Sequence, residues 1–175
     1  MGRDPAQEPR RAALIVADSV VGGVRFVALA AGGQHTCGLT ARGRAWCWGG
    51  NRAGQLGIGA PDTLAHTAPA PVAGEMVFAA LSAGFSHTCG VTPSGEAWCW
   101  GHNDYGRLGQ GTTTNAGTPQ PVAGGLLFHA VSAGLRHTCG VTTAGVALCW
   151  GLNATGALGT GTLENSLVPV RVAGP

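Results

Sequence analysis

Short apolar runs, each closed by a glycine, recur along this chain at an interval near fifty residues. Phe26-Val27-Ala28-Leu29-Ala30-Ala31 precedes Gly32, Phe78-Ala79-Ala80-Leu81-Ser82-Ala83 precedes Gly84, and Phe128-His129-Ala130-Val131-Ser132-Ala133 precedes Gly134. Two variable residues then lead to a second run: His35-Thr36-Cys37-Gly38-Leu39-Thr40, His87-Thr88-Cys89-Gly90-Val91-Thr92 and His137-Thr138-Cys139-Gly140-Val141-Thr142. A third run follows: Ala45-Trp46-Cys47-Trp48-Gly49, Ala97-Trp98-Cys99-Trp100-Gly101 and Ala147-Leu148-Cys149-Trp150-Gly151. Runs this short, bounded by turn residues and apolar on both faces, predict buried strands rather than helices. From His35 to His87 is 52 residues, and from His87 to His137 is 50. A period of that size marks a propeller or a solenoid built from identical supersecondary units.

The spacing also predicts a strand register. Cys37 and Cys47 are ten residues apart, as are Cys89 and Cys99, and Cys139 and Cys149. If each pair sits directly opposite, the hairpin centres on Arg42, Ser94 or Ala144, in a three-residue loop ending at Gly43, Gly95 or Gly145. A type I turn followed by a left-handed glycine is the common three-residue hairpin, and only glycine takes that conformation freely. Thr36 then faces Trp48, and Gly38 faces Trp46, leaving room for the indole to lie across the strand. Glycine-rich loops follow over residues 49–59, 101–111 and 151–161. They run to Pro69, Pro119 and Pro169 and a Val-Ala segment, the first connection being two residues longer around Asp62 and His66.

The expected fold class is all-β: β-propeller blades of three to four strands in three repeats, about 20–72, 73–122 and 123–174, forming a partial propeller over 19–174. A solenoid is the second layout. Residues 1–18, with Arg3, Asp4, Glu8, Arg10 and two prolines, read as an N-terminal tail holding a short apolar strand at 12–17.

Composition changes this picture in three places. The 31 glycines and ten prolines sit at fixed points of the repeat, so they punctuate turns rather than signal low complexity. The formal net charge is +2, from ten arginines against eight acids, too small to imply a nucleic-acid or membrane partner. No apolar run approaches the roughly 20 residues of a membrane span, and Ala12–Val16, cut short by Asp18, is too brief for a secretory signal. The default expectation is cytoplasmic, or extracytoplasmic if the cysteine pairs are oxidised.

Leu81-Ser82-Ala83-Gly84-Phe85-Ser86-His87-Thr88-Cys89-Gly90-Val91, with Trp100-Gly101-His102-Asn103-Asp104-Tyr105-Gly106-Arg107-Leu108-Gly109, resembles the repeat of the regulator of chromosome condensation family. All three copies match. The resemblance implies blades of a seven-bladed propeller, a fold that hosts a chromatin-bound guanine-nucleotide exchange factor, a plant ultraviolet-B photoreceptor and a secreted β-lactamase inhibitor. The photoreceptor's tryptophan-bearing motif is not matched, since Gly33-Gln34, Phe85-Ser86 and Leu135-Arg136 occupy its slots. Lysine-rich chromatin-binding tails are absent too. Propellers close with about four to eight blades, so three do not close a ring. Either the chain is part of a longer protein, or a homodimer completes the ring with six blades, or the last blade ends in an open edge.

A site on a ring is asymmetric, so residues kept in every copy read as structural. These are His35, His87 and His137; Trp48, Trp100 and Trp150; Asn51, Asn103 and Asn153; and Leu56, Leu108 and Leu158. The histidines are expected to hydrogen-bond a neighbouring loop backbone, since buried polar groups need partners. The cysteine pairs admit three readings: intra-hairpin disulfides, free thiols filling apolar space, or zinc ligands with His35. The ten-residue spacing lacks a zinc knuckle, so no metal is expected. The glycine-rich loops open no helix and lack the P-loop lysine, so no nucleotide cofactor is expected. No nucleophile, base and acid come together, so no catalytic residues are assigned and an enzyme is not expected. A partner surface would use positions that differ between copies: Arg52, His102, Asp104, Tyr105, Arg107 and Arg136, with the loop around Asp62 and His66. The expected function is a non-enzymatic scaffold binding a partner protein through variable rim loops. The alternatives are guanine-nucleotide exchange on a small GTPase, implied by the resemblance alone, and a secreted enzyme inhibitor.

Overall fold

A computed structural model describes residues 23–174; the predicted tail and the apolar strand at 12–17 lie outside them. Twelve strands form three antiparallel four-stranded sheets. The first joins β1 (Ala28–Ala31), β2 (His35–Leu39), β3 (Ala45–Gly50) and β4 (Ala65–Pro71) in chain order. The second joins β5 (Ala80–Ala83), β6 (His87–Val91), β7 (Ala97–Gly101) and β8 (Ala116–Pro121). The third joins β9 (Phe128–Ala133), β10 (His137–Thr142), β11 (Ala147–Gly151) and β12 (Ser166–Arg171). β1 touches β5, and β5 touches β9, so the first strands meet across neighbouring blades. The proline-bearing fourth strands lie at the sheet edges, where a missing N–H interrupts no ladder. The result is a partial propeller of three blades.

The predicted register holds in all three hairpins. Cys37 pairs with Cys47, Cys89 with Cys99 and Cys139 with Cys149, and Thr36 faces Trp48. Gly43, Gly95 and Gly145 close the turns at φ values of 73°, 92° and 78°. The Gly43 N–H donates to Thr40 O at 2.8 Å and the Thr40 N–H to Arg44 O at 3.0 Å, the bonds of a type I turn with a bulge. Each opposed cysteine pair is a disulfide, with Cα atoms 4.1, 4.1 and 4.0 Å apart. The thiol and zinc readings are thereby set aside, because no described cysteine is free.

One expected contact is different. The space over Gly38 is filled not by the facing indole but by Phe26: a Cβ at Gly38 would stand 2.5 Å from the Phe26 ring. Phe78 covers Gly90 and Phe128 covers Gly140 in the same way. Each phenylalanine then leans on a tryptophan of its own blade, Trp48, Trp100 or Trp150, with ring centroids 5.6, 5.7 and 5.8 Å apart.

The core lies between blades. Leu56, from the loop of the first blade, joins Cys37, Leu39 and Cys47 against Phe78 and Trp100 of the second. Leu108 repeats the arrangement against Phe128 and Trp150 of the third. The repeated histidines bridge the same junctions. His35 Nε2 lies 2.7 Å from Thr88 Oγ1, which donates its proton to Gln55 O at 2.9 Å. His87 Nε2 lies 2.9 Å from Thr138 Oγ1, which donates to Arg107 O at 2.8 Å. The histidine therefore reaches the loop backbone only through a threonine hydroxyl of the next blade. The hydroxyl proton is already committed to a carbonyl, so Nε2 carries a hydrogen and donates it. Nδ1 of both rings is buried without a partner, as suits a neutral ring with its lone pair there. Burial lowers the pKa of His35 to about 4 and that of His87 to about 3.

Thr88→Val keeps the shape of this link and removes its oxygen. It strands the buried His35 Nε2–H, an expected loss of about 1–3 kcal/mol. Thr88→Ser is expected to recover most of it, both being read from urea-unfolding midpoints.

Candidate functional site

The variable positions are not spread evenly around the arc. His102, Asp104, Tyr105, Arg107 and Arg136 line one cleft of about 300 Å³ at the junction of the second and third blades, together with Phe85, Ser86 and Leu135. Arg52 does not join them: it is exposed on the corresponding loop of the first blade. The positions matching His102, Asp104, Tyr105 and Arg107 hold Gly50, Arg52, Ala53 and Gln55 in the first blade, and Leu152, Ala154, Thr155 and Ala157 in the third. Neither of the other two copies carries this set of side chains.

Two elements build it. The loop after β7 is anchored by the Asn103 side chain, whose Oδ1 accepts from Leu108 N at 3.0 Å and whose Nδ2 donates to Thr112 O at 3.0 Å and Thr114 O at 2.9 Å. Asn51 and Asn153 staple their loops similarly, accepting from Leu56 N and Leu158 N. Within the anchored loop a short 3-10 turn, Asp104–Gly106, holds Tyr105 at φ 64°. A left-handed tyrosine costs about 1–2 kcal/mol, and the matching Ala53 and Thr155 are not left-handed. The other wall is the two-residue slot before each repeated histidine, Phe85-Ser86 and Leu135-Arg136.

Arg107 ties the walls together. It is only 2% exposed, and its Nε donates to Asp104 O at 3.2 Å while Nη1 donates to Leu135 O at 3.1 Å, across the junction. Burial pushes its pKa below the ordinary arginine value. His102 Nε2 lies 2.9 Å from Asp104 Oδ2. Burial and the neighbouring Arg107 outweigh that carboxylate and lower the His102 pKa. A neutral His102 therefore donates a hydrogen bond to Asp104 rather than forming an ion pair. Two guanidinium charges then face one carboxylate, a local excess of one positive charge. Phe85 (46% exposed), Leu135 (57%) and Tyr105 (39%) put apolar surface beside it. Arginine and aromatic side chains around a concavity are the composition of a protein-binding anchor. Among the described residues no cluster of three or more metal-ligating side chains occurs.

The longer loop of the first blade is occupied with itself. Asp62 Oδ2 accepts from Asn51 Nδ2 at 2.7 Å, and its carboxylate meets His66 Nε2 at 3.0 and 3.1 Å. These bonds, led by that from Asn51, lower the Asp62 pKa. Asn51 Nδ2 also donates to Ala60 O at 3.3 Å, the counterpart of Thr112 O and Thr162 O in the other two loops, so the Asp62 carboxylate supplies its second acceptor.

Two family models, both described as the Regulator of chromosome condensation (RCC1) repeat, match three times each: over 26–55, 78–107 and 128–157, and over 42–91, 94–141 and 144–175. This chain belongs to that family. The RCC2 homolog of Danio rerio is 40% identical over 84 residues, 47% of this chain and 17% of the relative. The human E3 ubiquitin-protein ligase HERC2 is 36% identical over 93 residues, 51% of this chain and 2% of the relative. Prp20p of Saccharomyces cerevisiae superposes with a TM-score of 0.77 at 25% identity, over 85% of this chain and 38% of its own. The chain thus spans well under half the length of these relatives. Within the regulator of chromosome condensation repeat, the cleft falls on loop positions that vary from copy to copy. Phe85, Ser86 and Leu135 were not among the candidate residues; the signal that could have found them is that they fill the same variable two-residue slots as Arg136.

Proposed function

We propose that this chain is a non-enzymatic protein-interaction scaffold that holds a partner protein in the cleft between its second and third blades. The carrying observation is the convergence of five variable side chains on that one junction. The excess positive charge beside Phe85, Tyr105 and Leu135 suits a partner segment that sets an acidic group next to an apolar one. Prp20p is described as binding Gsp1p and histones, which supports a protein as the class of partner. The disulfides support an extracytoplasmic or otherwise oxidising compartment.

A photocrosslinking amino acid placed at Leu135 should capture a discrete partner from extracts of the source cells, and one placed at Arg52 should not. Purified partner should then bind Tyr105→Gly at least tenfold more weakly, while the melting temperature stays level or rises because glycine relieves the left-handed backbone. A merely structural Tyr105 would show no affinity change. Faster nucleotide release from a small GTPase on adding this chain would replace the scaffold reading with the exchange-factor one.

A further inference from the structure

Arg107 is a buried cation that no acid near it neutralises. It is 2% exposed, and among the described residues neither it nor Arg136 has a carboxylate within ion-pair distance. The one carboxylate lining the cleft, that of Asp104, is turned to His102 Nε2 instead. Two of the Arg107 guanidinium nitrogens are spent on backbone carbonyls, Nε on Asp104 O and Nη1 on Leu135 O, which fix the group between the two walls. Nη2 has no protein partner among the described residues and is not sealed from solvent, so the open edge of the guanidinium faces the cleft. The blade junction itself does not call for an arginine. Only the backbone carbonyl of Arg107 serves the His–Thr link, and Gln55 and Ala157 stand at the matching positions of the other loops. Gln55 spends its side chain within its own loop, its Oε1 accepting from Ala53 N at 2.9 Å. Taking a cation out of water without a counter-charge is costly, and here it happens where a ligand can reach the cation.

We propose that Arg107 anchors a carboxylate: the partner segment held in this cleft docks through one Asp or Glu side chain that bridges Arg107 Nη2 and the Arg136 guanidinium, with an adjoining apolar side chain on Phe85 and Leu135. This rests on the cleft-scaffold reading above and adds the chemistry of the occupant. Charge selects a carboxylate over a phosphate. With His102 neutral, two guanidinium groups and the Asp104 carboxylate leave one positive charge. A carboxylate cancels it. A phosphorylated side chain, at about −1.5 to −2, overshoots and sets its excess against Asp104. Shape selects a chain segment over a small free acid. The hollow of about 300 Å³ lies at the small end of ligand sites, while the half-exposed Phe85 and Leu135 extend apolar surface onto its rim. A segment that continues past its anchored acid covers that rim, and a small acid does not.

The test pans a phage-displayed library of random peptides on the full chain, then measures the selected peptides, made synthetically, by fluorescence anisotropy. They are expected to carry Asp or Glu beside Leu, Phe, Met or Trp. Exchanging that acid for its amide in the peptide should weaken binding at least about tenfold, the worth of a hydrogen bond to a charged group. In the protein, Arg136→Gln, at an exposed position, should weaken it about two- to fivefold. Asp104→Asn should tighten it by a similar factor, because it removes the carboxylate that competes for the arginines. Arg107→Gln should erase the preference for the acid over the amide peptide, whereas a merely structural Arg107 would lower both affinities alike. If Arg107→Gln does not fold, the peptide exchange and Arg136→Gln carry the test. Selected peptides that lack an acid, or that bind equally as the amide, while Tyr105→Gly still weakens them, would overturn the carboxylate anchor and leave the scaffold cleft standing. Peptides indifferent to both Tyr105→Gly and Arg136→Gln, or no selected peptide at all, would overturn both. A phosphoserine peptide bound about tenfold more tightly than its glutamate counterpart would overturn the charge argument and pass the site to phosphorylated partners.

Discussion

Reducing the three disulfides is expected to lower the melting temperature by about 15–30 °C. Each bridge closes a short loop, ten residues from cysteine to cysteine, and removes about 2.5 kcal/mol of unfolded-chain entropy. The three loops do not overlap in sequence, so their contributions add to about 7–8 kcal/mol. That is the size of the whole stability of a typical domain, and in a domain of this length each kcal/mol moves the midpoint by about 2–4 °C. The loss has no offsetting gain, because Cys37, Cys47, Cys89 and Cys99 are 0% exposed and the thiols left behind remain apolar filler. Cys139 is partly exposed, so its bridge should be the first that a reductant opens. The measurement is a melting curve by circular dichroism with and without a phosphine reductant, alongside a thiol count on denatured, unreduced protein. Six free thiols before reduction, or an unchanged midpoint after it, would remove both the disulfides and the compartment proposed from them.

What the sequence made legible follows from where its contacts lie. The Cys37–Cys47 register and the left-handed Gly43 are decided within ten residues of chain, so spacing alone reaches them. The His–Thr link is not: its halves are 53 and 51 residues apart, and the threonine belongs to the next copy of the same motif. A reader of one repeat sees His35 and Thr36 side by side and has no cue that His35 bonds Thr88. The misplaced ring over Gly38 has the same origin. Pairing arithmetic finds the strand neighbour Trp46, whereas Phe26 arrives from the stretch ahead of β1. The cleft was half legible, since variability between copies picks out His102, Asp104, Tyr105, Arg107 and Arg136 but also Arg52, which belongs to a different junction. Only the stacking of blades sorts them.

The two buried histidines also predict how the chain fails in acid. In the unfolded chain a histidine titrates near 6.5, whereas folded His35 and His87 titrate near 4 and 3 because burial disfavours the imidazolium. Above pH 6.5 both states are neutral at these sites and stability is flat. Below it the unfolded chain binds protons at both positions that the folded chain refuses, so stability falls as pH falls, and the lowered pKa of His102 adds to the fall in the same direction. The slope is about 1.4 kcal/mol per pH unit for each group, or about 2.7 for the pair. From pH 6.5 to pH 5 the loss is about 3 kcal/mol, since the full slope is reached only below about pH 6, and it continues until the folded rings protonate near 4 and 3. Carboxylates contribute little above pH 5, because the chain holds only eight acidic residues and the lowered pKa of Asp62 acts further down the scale. Protonation would also oblige Nδ1, which has no acceptor in either site, to carry a buried hydrogen. His87→Gln keeps an N–H donor toward Thr138 without a titrating ring, so it should halve the slope while leaving stability at pH 7.5 within about 1–2 kcal/mol of wild type. Urea-unfolding free energies taken from pH 7.5 to pH 5 give the slope directly. A flat profile, or the same slope in His87→Gln, would mean that these rings titrate normally and that the neutral His–Thr–carbonyl link does not hold the blades together.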